Sequence, residues 1–510
     1  MAMNRTTVEF GSWEPDVPLL AGRQASEARN VIPGKRGYRC LRGLVGMQYP
    51  ALPEAALAAA SLRNLDGSLL TVAATDSGIF ALEGGAWLRK YSGSVASKTR
   101  AFSDYGAAIY SLFGTTLVKA AATGAVGEFQ EVEGAPHGEI LGVVRDFLVI
   151  GRLSEYRNGI RWSALDNPDS WPEPGSNDAQ YQQSDIQIFP TGGNVQAIVG
   201  GVGGIDGLIF LERGIQRATY VGPPYFFQFN VVDRSVGCVA PGSPVTCGNV
   251  CVYLSENGWR MTDGASVKSL GIERLDTWFF DVCDPARLNE VRGVHDAENR
   301  VAVWTFPSET ASEGLHDRVL IYNYSVDKWS YGVLTTEVLI PDWGRGMSLE
   351  ELDQFGDLDH LPFASLDMAA FKNGSLGLSA FDSTHRLSRF SGGALEAVID
   401  TAETGGQRMM IHGLRPLVDR GDAQAMPVWR VRQQDAPRYG QYVRQSRDGV
   451  CYQHLSASYA GARVMIPAGE EWRDAVGVEL LTEIEGGCDG YASLGRPAGP
   501  SGRSGGDGRG

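Results

Sequence analysis

A short unit of β-strands joined by glycine-containing turns recurs along most of this chain. Its first clear copy has strand-like runs at 68–74, 79–82 and 86–91, with turns between them. Such turns join antiparallel neighbours, so the unit predicts an up-and-down meander. Further copies begin near residues 106, 147, 207, 250, 300 and 375. The shortest intervals match a propeller-blade period of about 40–50 residues. Because a meander of this kind is stable only against its neighbours, we predict an all-β fold, a β-propeller of six or seven blades.

The predicted propeller covers residues 65–400 and is flanked by segments of different character. Residues 1–64 form an extended N-terminal arm, and the alanine-rich stretch 51–62 predicts a short helix within it. Alternating runs near 428–432 and 462–466 predict an accessory β-module over 401–485. The remaining residues, 486–510, are rich in glycine, serine, proline and arginine and predict a flexible tail.

Charge is unevenly distributed along the chain, whose formal net charge is −15. Residues 1–48 carry a net +3, residues 49–400 a net −18, and residues 401–510 are neutral. General DNA-binding proteins show a basic surface, and the acidic middle region would repel DNA. The composition therefore argues against a protein that grips nucleic acid.

The seven cysteines are odd in number and irregular in spacing. The N-terminus is polar, which argues against a secretory signal, and no apolar run is long enough to span a bilayer. We therefore expect reduced, mostly buried thiols in a protein that folds in a cytosol.

Several polar motifs have simple structural interpretations. Cys247 and Cys251 have the loose spacing of half a zinc site, but a second ligand pair is missing from the sequence. His295-Asp-Ala-Glu298 is expected to be a turn between strands, and Gly200-Gly-Val-Gly-Gly204 a tight loop, since a strand follows it rather than a helix. We predict no catalytic, cofactor-binding or metal-binding residues and no enzymatic activity.

Six tryptophans lie within or beside predicted strands. Packing between blades explains them more simply than stacking on a carbohydrate. They are Trp162, Trp171, Trp259, Trp278, Trp304 and Trp329.

Three stretches resemble the tail nozzle proteins of short-tailed phages, a family that includes the packaged-DNA stabilisation and tail tubular B proteins. The first contains Phe10-Gly-Ser-Trp13 and Ala28-Arg-Asn-Val-Ile-Pro33. The second is Ile160–Leu165 followed by Asp166-Asn-Pro-Asp-Ser-Trp171. The third combines Gly413–Leu417 with Ser458–Gly469, and it is also similar to other phage virion proteins.

The resemblance implies a structural virion protein of the phage tail, made in the bacterial cytoplasm. Copies would form a ring, a hexamer in this family, below the portal and adaptor. The ring would continue the DNA channel, contact other tail proteins, and help to retain packaged DNA until ejection. The alternative is a receptor- or carbohydrate-binding propeller at the tail tip, possessing or lacking glycosidase activity.

Two charged segments are candidate functional surfaces on this interpretation. An acidic lumen would let DNA pass without specific binding, because a basic wall would form many phosphate contacts. The candidate lumen-facing loop contains Glu350, Glu351, Asp353, Asp357 and Asp359. The basic arm is expected at a subunit or adaptor contact, through Arg29, Lys35, Arg36, Arg39 and Arg42.

Overall fold

A computed structural model describes residues 4–18, 24–63, 69–95, 97–343 and 376–484. Before the first blade, the described residues of the arm form five short strands. They are β1 (Asn4–Glu9), β2 (Ala28–Arg29), β3 (Val31–Pro33), β4 (Tyr38–Cys40) and β5 (Val45–Gly46).

Seven radial meanders follow the arm within the described residues. Blade 1 contains β6 (Ala58–Arg63), β7 (Leu69–Ala74), β8 (Gly78–Glu83) and β9 (Ala86–Ser92). Blade 2 contains β10 (Arg100–Tyr105), β11 (Ala108–Phe113), β12 (Thr116–Thr123), β13 (Ala125–Val126) and β14 (Gln130–Glu131). Blade 3 contains β15 (Gly138–Val144), β16 (Phe147–Leu153), β17 (Gly159–Trp162) and β18 (Asp185–Ile188). Helix α1 (Asn177–Gln182) lies in the last connection of blade 3.

Blades 4 to 7 repeat the pattern. Blade 4 contains β19 (Val195–Val202), β20 (Ile205–Leu211), β21 (Gly214–Gly222) and β22 (Phe226–Asp233), and blade 5 contains β23 (Val245–Cys247), β24 (Val250–Ser255), β25 (Gly258–Thr262) and β26 (Val267–Ser269). Blade 6 contains β27 (Arg292–Asp296), β28 (Val301–Phe306), β29 (His316–Asn323) and β30 (Lys328–Thr336). Blade 7 contains β31 (Val338–Trp343), β32 (Leu376–Phe381) and β33 (Leu387–Arg389). Helix α2 (Asp276–Val282) and the 3₁₀-helix Pro285–Glu290 connect blades 5 and 6.

Up to residue 484, where the described part of the chain ends, seven strands follow the blades. They are β34 (Ala397–Asp400), β35 (Thr404–Val418), β36 (Gln424–Arg430), β37 (Arg438–Tyr439), β38 (Val443–Arg444), β39 (Cys451–Ile466) and β40 (Asp474–Ile484).

The seven blades close into a ring because a buried apolar cluster fills each interface between neighbours. Between blades 4 and 5, the rings of Phe210 and Tyr253 have centroids 4.9 Å apart. Between blades 7 and 1, Phe381 and Phe80 belong to one cluster. These features confirm the predicted all-β propeller. Six blades are separate sheets, whereas blade 6 continues into a larger sheet that includes the C-terminal strands.

The arm completes this architecture. Strand β5 pairs with β33 as the fourth strand of blade 7, through Gly46 opposite Ser388. Strand β2 lies between β30 of blade 6 and β34, and β1 pairs along β40. The arm, which the sequence predicts as an extended segment outside the propeller, therefore supplies strands to two sheets.

The predicted accessory module at 401–485 corresponds to β34–β40, which begin at Ala397. These strands form one continuous sheet with blade 6 and the arm. Arg463 of β39 binds Asp400 of β34 through two hydrogen bonds, at 2.5 and 2.7 Å, and Ser26 of the arm donates to the same carboxylate at 2.6 Å. The hydrogen bond of Ser26 thus joins the arm to an ion pair between two of the C-terminal strands.

The predicted helix over 51–62 is wrong. Residues 58–63 form β6, the first strand of blade 1, which pairs antiparallel with β7. Alanine favours helices only weakly over other conformations, and backbone pairing inside a closed ring outweighs that preference. The small side chains of Ala58, Ala59 and Ala60 also suit a strand that packs close to its neighbours in the ring.

The tryptophans confirm the predicted packing role. Trp162, Trp171, Trp259, Trp304 and Trp329 are all buried, and Trp259 and Trp304 pack with ring centroids 4.6 Å apart across the interface of blades 5 and 6. The sixth tryptophan, Trp278 on α2, is partly buried against Trp13 of the arm.

Replacing Arg463 with methionine is expected to lower the free energy of unfolding by about 3 kcal/mol, because Asp400 would be left as a buried charge without its cation. Chemical denaturation at neutral pH measures the loss. Arg473→Met, at an exposed position just before β40, is the control and should change stability by less than about 0.5 kcal/mol. Equal effects of the two variants would contradict the assigned role of the pair.

Candidate functional site

The five basic arm residues occupy different environments. Arg29 pairs with Glu396 at 2.7 Å, and Arg42 donates to the carbonyl of Gly392 at 3.2 Å. Both contacts hold the arm to its own chain. Lys35 and Arg36 are exposed at the turn of the β3–β4 hairpin, and Arg39, on β4, is partly buried. The subunit or adaptor contact predicted for this arm remains a prediction.

The predicted acidic loop, with all five of its candidate residues, lies outside the described part of the chain. These residues are Glu350, Glu351, Asp353, Asp357 and Asp359. The described strands on either side of it are β31 and β32, the first two strands of blade 7. Its location relative to a lumen therefore remains a prediction.

The side chain of Asn30 bonds to both neighbours of the arm, blade 6 and the segment before β34. Its side-chain carbonyl accepts from the backbone of Val333 in blade 6, at 2.8 Å, and its amide donates to the carbonyl of Glu396, also at 2.8 Å. Its φ of 58° is in the left-handed region, which asparagine tolerates better than most residues. The position therefore requires both the conformation and the two-sided hydrogen bonding of an asparagine.

A second carboxylate, that of Glu27, is partly buried at the same seam. Glu27 accepts a hydrogen bond from the Tyr331 hydroxyl of blade 6. Burial raises the pKa of Glu27, an effect to which Asp400 adds by repulsion, while the Tyr331 hydrogen bond and the Arg463 and Arg29 charges oppose it. The ionised form of Glu27 therefore weakens the seam relative to the protonated form.

The Asn167–Trp171 element joins blades 2 and 3. Trp171 is buried, and its indole donates to the carbonyl of Pro168 at 2.9 Å. Asp169 accepts from the Tyr110 hydroxyl at 2.8 Å and pairs with Lys119 at 2.6 Å, both in blade 2. The motif is a structural joint between blades.

A cavity of about 340 Å³ lies between the blade 4 and blade 5 turns. Its lining residues are Gln196, Glu212, Arg213, Cys238, Val239 and Glu256. Glu212 accepts from the side chains of Asn194, at 2.8 Å, and Gln196, at 3.4 Å. Burial raises the pKa of the Cys238 thiol to about 11, so it is a poor nucleophile at neutral pH. The lining offers hydrogen bonds to a small polar molecule, but it contains no aromatic ring for stacking on a sugar.

The two cysteines of the loose zinc spacing point to opposite faces of blade 5. Cys247 belongs to the core between blades 5 and 6, and Cys251 to the core between blades 4 and 5. Burial raises the pKa of Cys247 to about 12 and that of Cys251 well above its usual value, which disfavours the thiolates that zinc requires. Among the described residues, no group of three or more potential ligands is arranged to hold a metal ion.

Sequence inspection missed an exposed arginine- and tyrosine-rich surface on the C-terminal strands. We call residues 431–450 the Arg/Tyr lobe. Strands β37 and β38 of this lobe pair with the outer edge of β36. Its exposed cations are Arg432, Arg438, Arg444 and Arg447, and its exposed aromatic residues are Tyr439 and Tyr442. The close spacing of arginine and tyrosine over 438–444 was the signal that could have identified it.

Comparisons with known proteins identify no family. No protein-family model and no curated protein sequence matches the chain significantly. Among solved structures, it is similar to the Pan2 WD40 domain of Neurospora crassa, with 11% identity and a TM-score of 0.36 over 70% of this chain and 96% of that one. The N-terminal domain of Nup159 gives 13% identity, a TM-score of 0.36, and coverages of 71% and 97%.

A further similar structure is an exo-β-1,3-galactanase from Phanerochaete chrysosporium, with 10% identity, a TM-score of 0.24, and coverages of 94% and 100%. The sheet topology described above, and not these similarities, is the basis of the propeller assignment. None of the helices in the described segments has the length and apolar character that a membrane span needs.

Treatment with a chelator is expected to leave the melting temperature unchanged, because Cys247 and Cys251 cannot share one ion. Differential scanning calorimetry with and without chelator measures this. A clear fall in melting temperature that zinc restores would contradict the geometry described for blade 5.

Glu27→Gln is expected to stabilise the protein at neutral pH. Since the folded-state pKa of Glu27 is raised, its contribution is most favourable below the unfolded-state pKa and is lost as pH rises through the folded-state pKa. The gain in unfolding free energy of the variant should therefore be larger at pH 7 than at pH 4. Glu396→Gln, in the more exposed pair with Arg29, is the control. A variant less stable than wild type at pH 7 would refute the assignment.

Proposed function

We propose that this chain is a structural protein of a short-tailed phage tail, a nozzle subunit that forms a ring below the portal and adaptor. The ring continues the DNA channel, binds other tail proteins, and helps to retain packaged DNA until ejection. DNA passes through without sequence-specific binding. In this proposal the protein has no enzymatic activity and resides in the virion.

The observation that supports the proposal most directly concerns the three stretches that resemble nozzle proteins. Each lies at a joint of the molecule. In the first, the arm packs Trp13 on Trp278 of α2, with ring centroids 4.7 Å apart. Asp16, a few residues later, accepts from the backbone amides of Thr277 and Trp278 at 2.7 and 2.9 Å.

The other two stretches also lie at joints. The second, 166–171, connects blades 2 and 3 as described above. The third lies in β35 and β39, two adjacent strands of the C-terminal sheet. These residues hold the arm, the propeller ring and the C-terminal sheet together in one body. Such contacts suit a subunit that must keep its shape under mechanical force, because internal packing resists deformation.

Charge gives further support. The net −18 of residues 49–400 suits a protein beside a moving polyanion, because repulsion centres DNA and salt screens it beyond roughly 8–10 Å. The acidic loop containing Glu350 and Asp359 remains our candidate for part of the lumen wall. The tail-tip alternative would need a sugar-binding site, and the cavity lined by Glu212 and Glu256 offers hydrogen-bonding groups but no aromatic ring among its lining residues.

The mass of the purified protein, alone and with its portal–adaptor neighbours, tests this proposal. We expect assemblies whose mass is a multiple of the 54.9 kDa chain, with a closed ring favoured when the neighbours are present, because a heterologous interface that closes makes a ring. Native mass spectrometry and electron microscopy give the copy number. A monomer under every condition, or hydrolysis of tail-receptor glycans by the purified chain, would favour the alternative.

A further inference from the structure

We propose that the Arg/Tyr lobe of one copy docks on the acidic face of blades 2 and 3 of the next copy. This inference rests on the proposed ring and identifies the surfaces that form its subunit contact. It follows from the charges of the two surfaces and from their positions on opposite sides of the molecule.

The lobe carries a positive charge that its own chain does not fully neutralise. Residues 431–450 contain four arginines and two aspartates. Asp435 accepts from the backbone amide of Arg432 at 3.0 Å, and Asp448 accepts from the hydroxyls of Ser446 and Tyr452. Tyr439 and Tyr442 are 49% and 37% exposed. Arginine and tyrosine are the residues most enriched at the energetic centres of interfaces, so the lobe has the composition of a docking surface.

The face of blades 2 and 3 has the opposite charge. Residues 101–200 contain twelve acidic and five basic side chains. The five cations all have contacts within the chain. Lys119 pairs with Asp169, Arg145 with Asp146, Arg152 and Arg157 with Glu139, and Arg161 donates to the carbonyls of Trp171 and Pro172.

Carboxylates therefore dominate what this face presents to solvent. Exposed members include Glu128, Glu131, Glu133 and Glu155. Glu133 and Glu155 lie at the same rim, because the amide of Ser154 donates to the carbonyl of His137 at 2.9 Å and so holds the two turns together.

Position makes the two surfaces complementary between copies rather than within one. The C-terminal sheet extends from the outer strand of blade 6 through β2. In a ring of seven blades, blades 2 and 3 lie across from blade 6. The lobe therefore extends from one side of the molecule, and the acidic face lies on the other. Contacts between them are head-to-tail, a heterologous arrangement that forms a ring when the rotation between successive copies closes.

A second copy fits the lobe better than nucleic acid does. Close to the lobe, DNA would also meet the propeller of the same chain, whose net −18 repels it. The acidic face of a neighbouring copy, by contrast, is attracted to the exposed arginines of the lobe. We therefore assign the lobe to a protein contact.

Charge reversal in the full-length protein tests the assignment. Arg438→Glu with Arg444→Glu should weaken self-association at low salt by at least about tenfold, because like charges would meet across the interface. Arg438→Lys with Arg444→Lys is the matched control and should retain most of the association. Sedimentation velocity measures assembly, and unchanged melting temperatures confirm folding. Association should also weaken in high salt.

A compensating pair of substitutions identifies the partner surface. Glu133→Lys with Glu155→Lys alone should weaken assembly, and mixing this variant with the arginine-to-glutamate variant should restore association between them. If the wild-type protein forms rings and both charge-reversal variants assemble equally well, the docking surface is overturned and the nozzle proposal stands. Wild-type chains that remain monomeric with their portal–adaptor neighbours would overturn both. Loss of binding to a short DNA duplex, without a change in assembly, would reassign the lobe to nucleic acid.

Discussion

The insertion of strand β2 between blade 6 and β34 is the contact on which the rest of the architecture depends. It makes one sheet of two that would otherwise be separate, and it places Asn30, Glu27 and Ser26 at the seam. Every group there is polar and mostly removed from water, so each needs a partner from another segment. The arm, the propeller and the C-terminal strands supply hydrogen-bond partners to one another, and these bonds join three distant parts of the chain.

Closure of the propeller depends on the same arm. Strand β5 supplies the outer strand of blade 7, so an edge that would be open to solvent is paired. The aromatic cluster around Trp259, Trp304 and Trp329 then joins blades 5 and 6 near the base of the C-terminal sheet. The molecule is thus held together by strand pairing and aromatic packing where the arm crosses it, as the proposed nozzle subunit would require.

The distribution of charge gives this rigid body a direction. Acidic side chains dominate the surface of blades 2 and 3, and the exposed arginines of the lobe lie beyond blade 6. A body that is rigid and has opposite charges at its two ends favours ordered head-to-tail contacts. The proposed nozzle ring and the proposed docking surface both rest on this uneven distribution of charge.

Much of the fold could be predicted because the second strand of each blade is buried on both faces. In blade 6, every residue of Val301–Phe306 is buried, and such apolar runs bounded by turns are visible in sequence. Turn positions such as Gly258, whose φ of +103° favours glycine, were visible for the same local reason. The first strands were harder to recognise, since strands such as Arg292–Asp296 are only partly buried and carry polar side chains.

The sequence by itself determined the strand type, the turns, the propeller class and the segregation of charge, because these depend on local pattern and composition. Only the tertiary structure decided that 58–63 is a strand, that the arm is shared between two sheets, that Cys247 and Cys251 face apart, and that the Arg/Tyr lobe lies across from the acidic blades. The position of the arm depends on pairings between residues hundreds of positions apart, such as Arg29 with Val398, and the other outcomes depend on how the blades pack around the ring. Local preferences of well under 1 kcal/mol per residue cannot specify such pairings, whereas closing a ring of packed blades does.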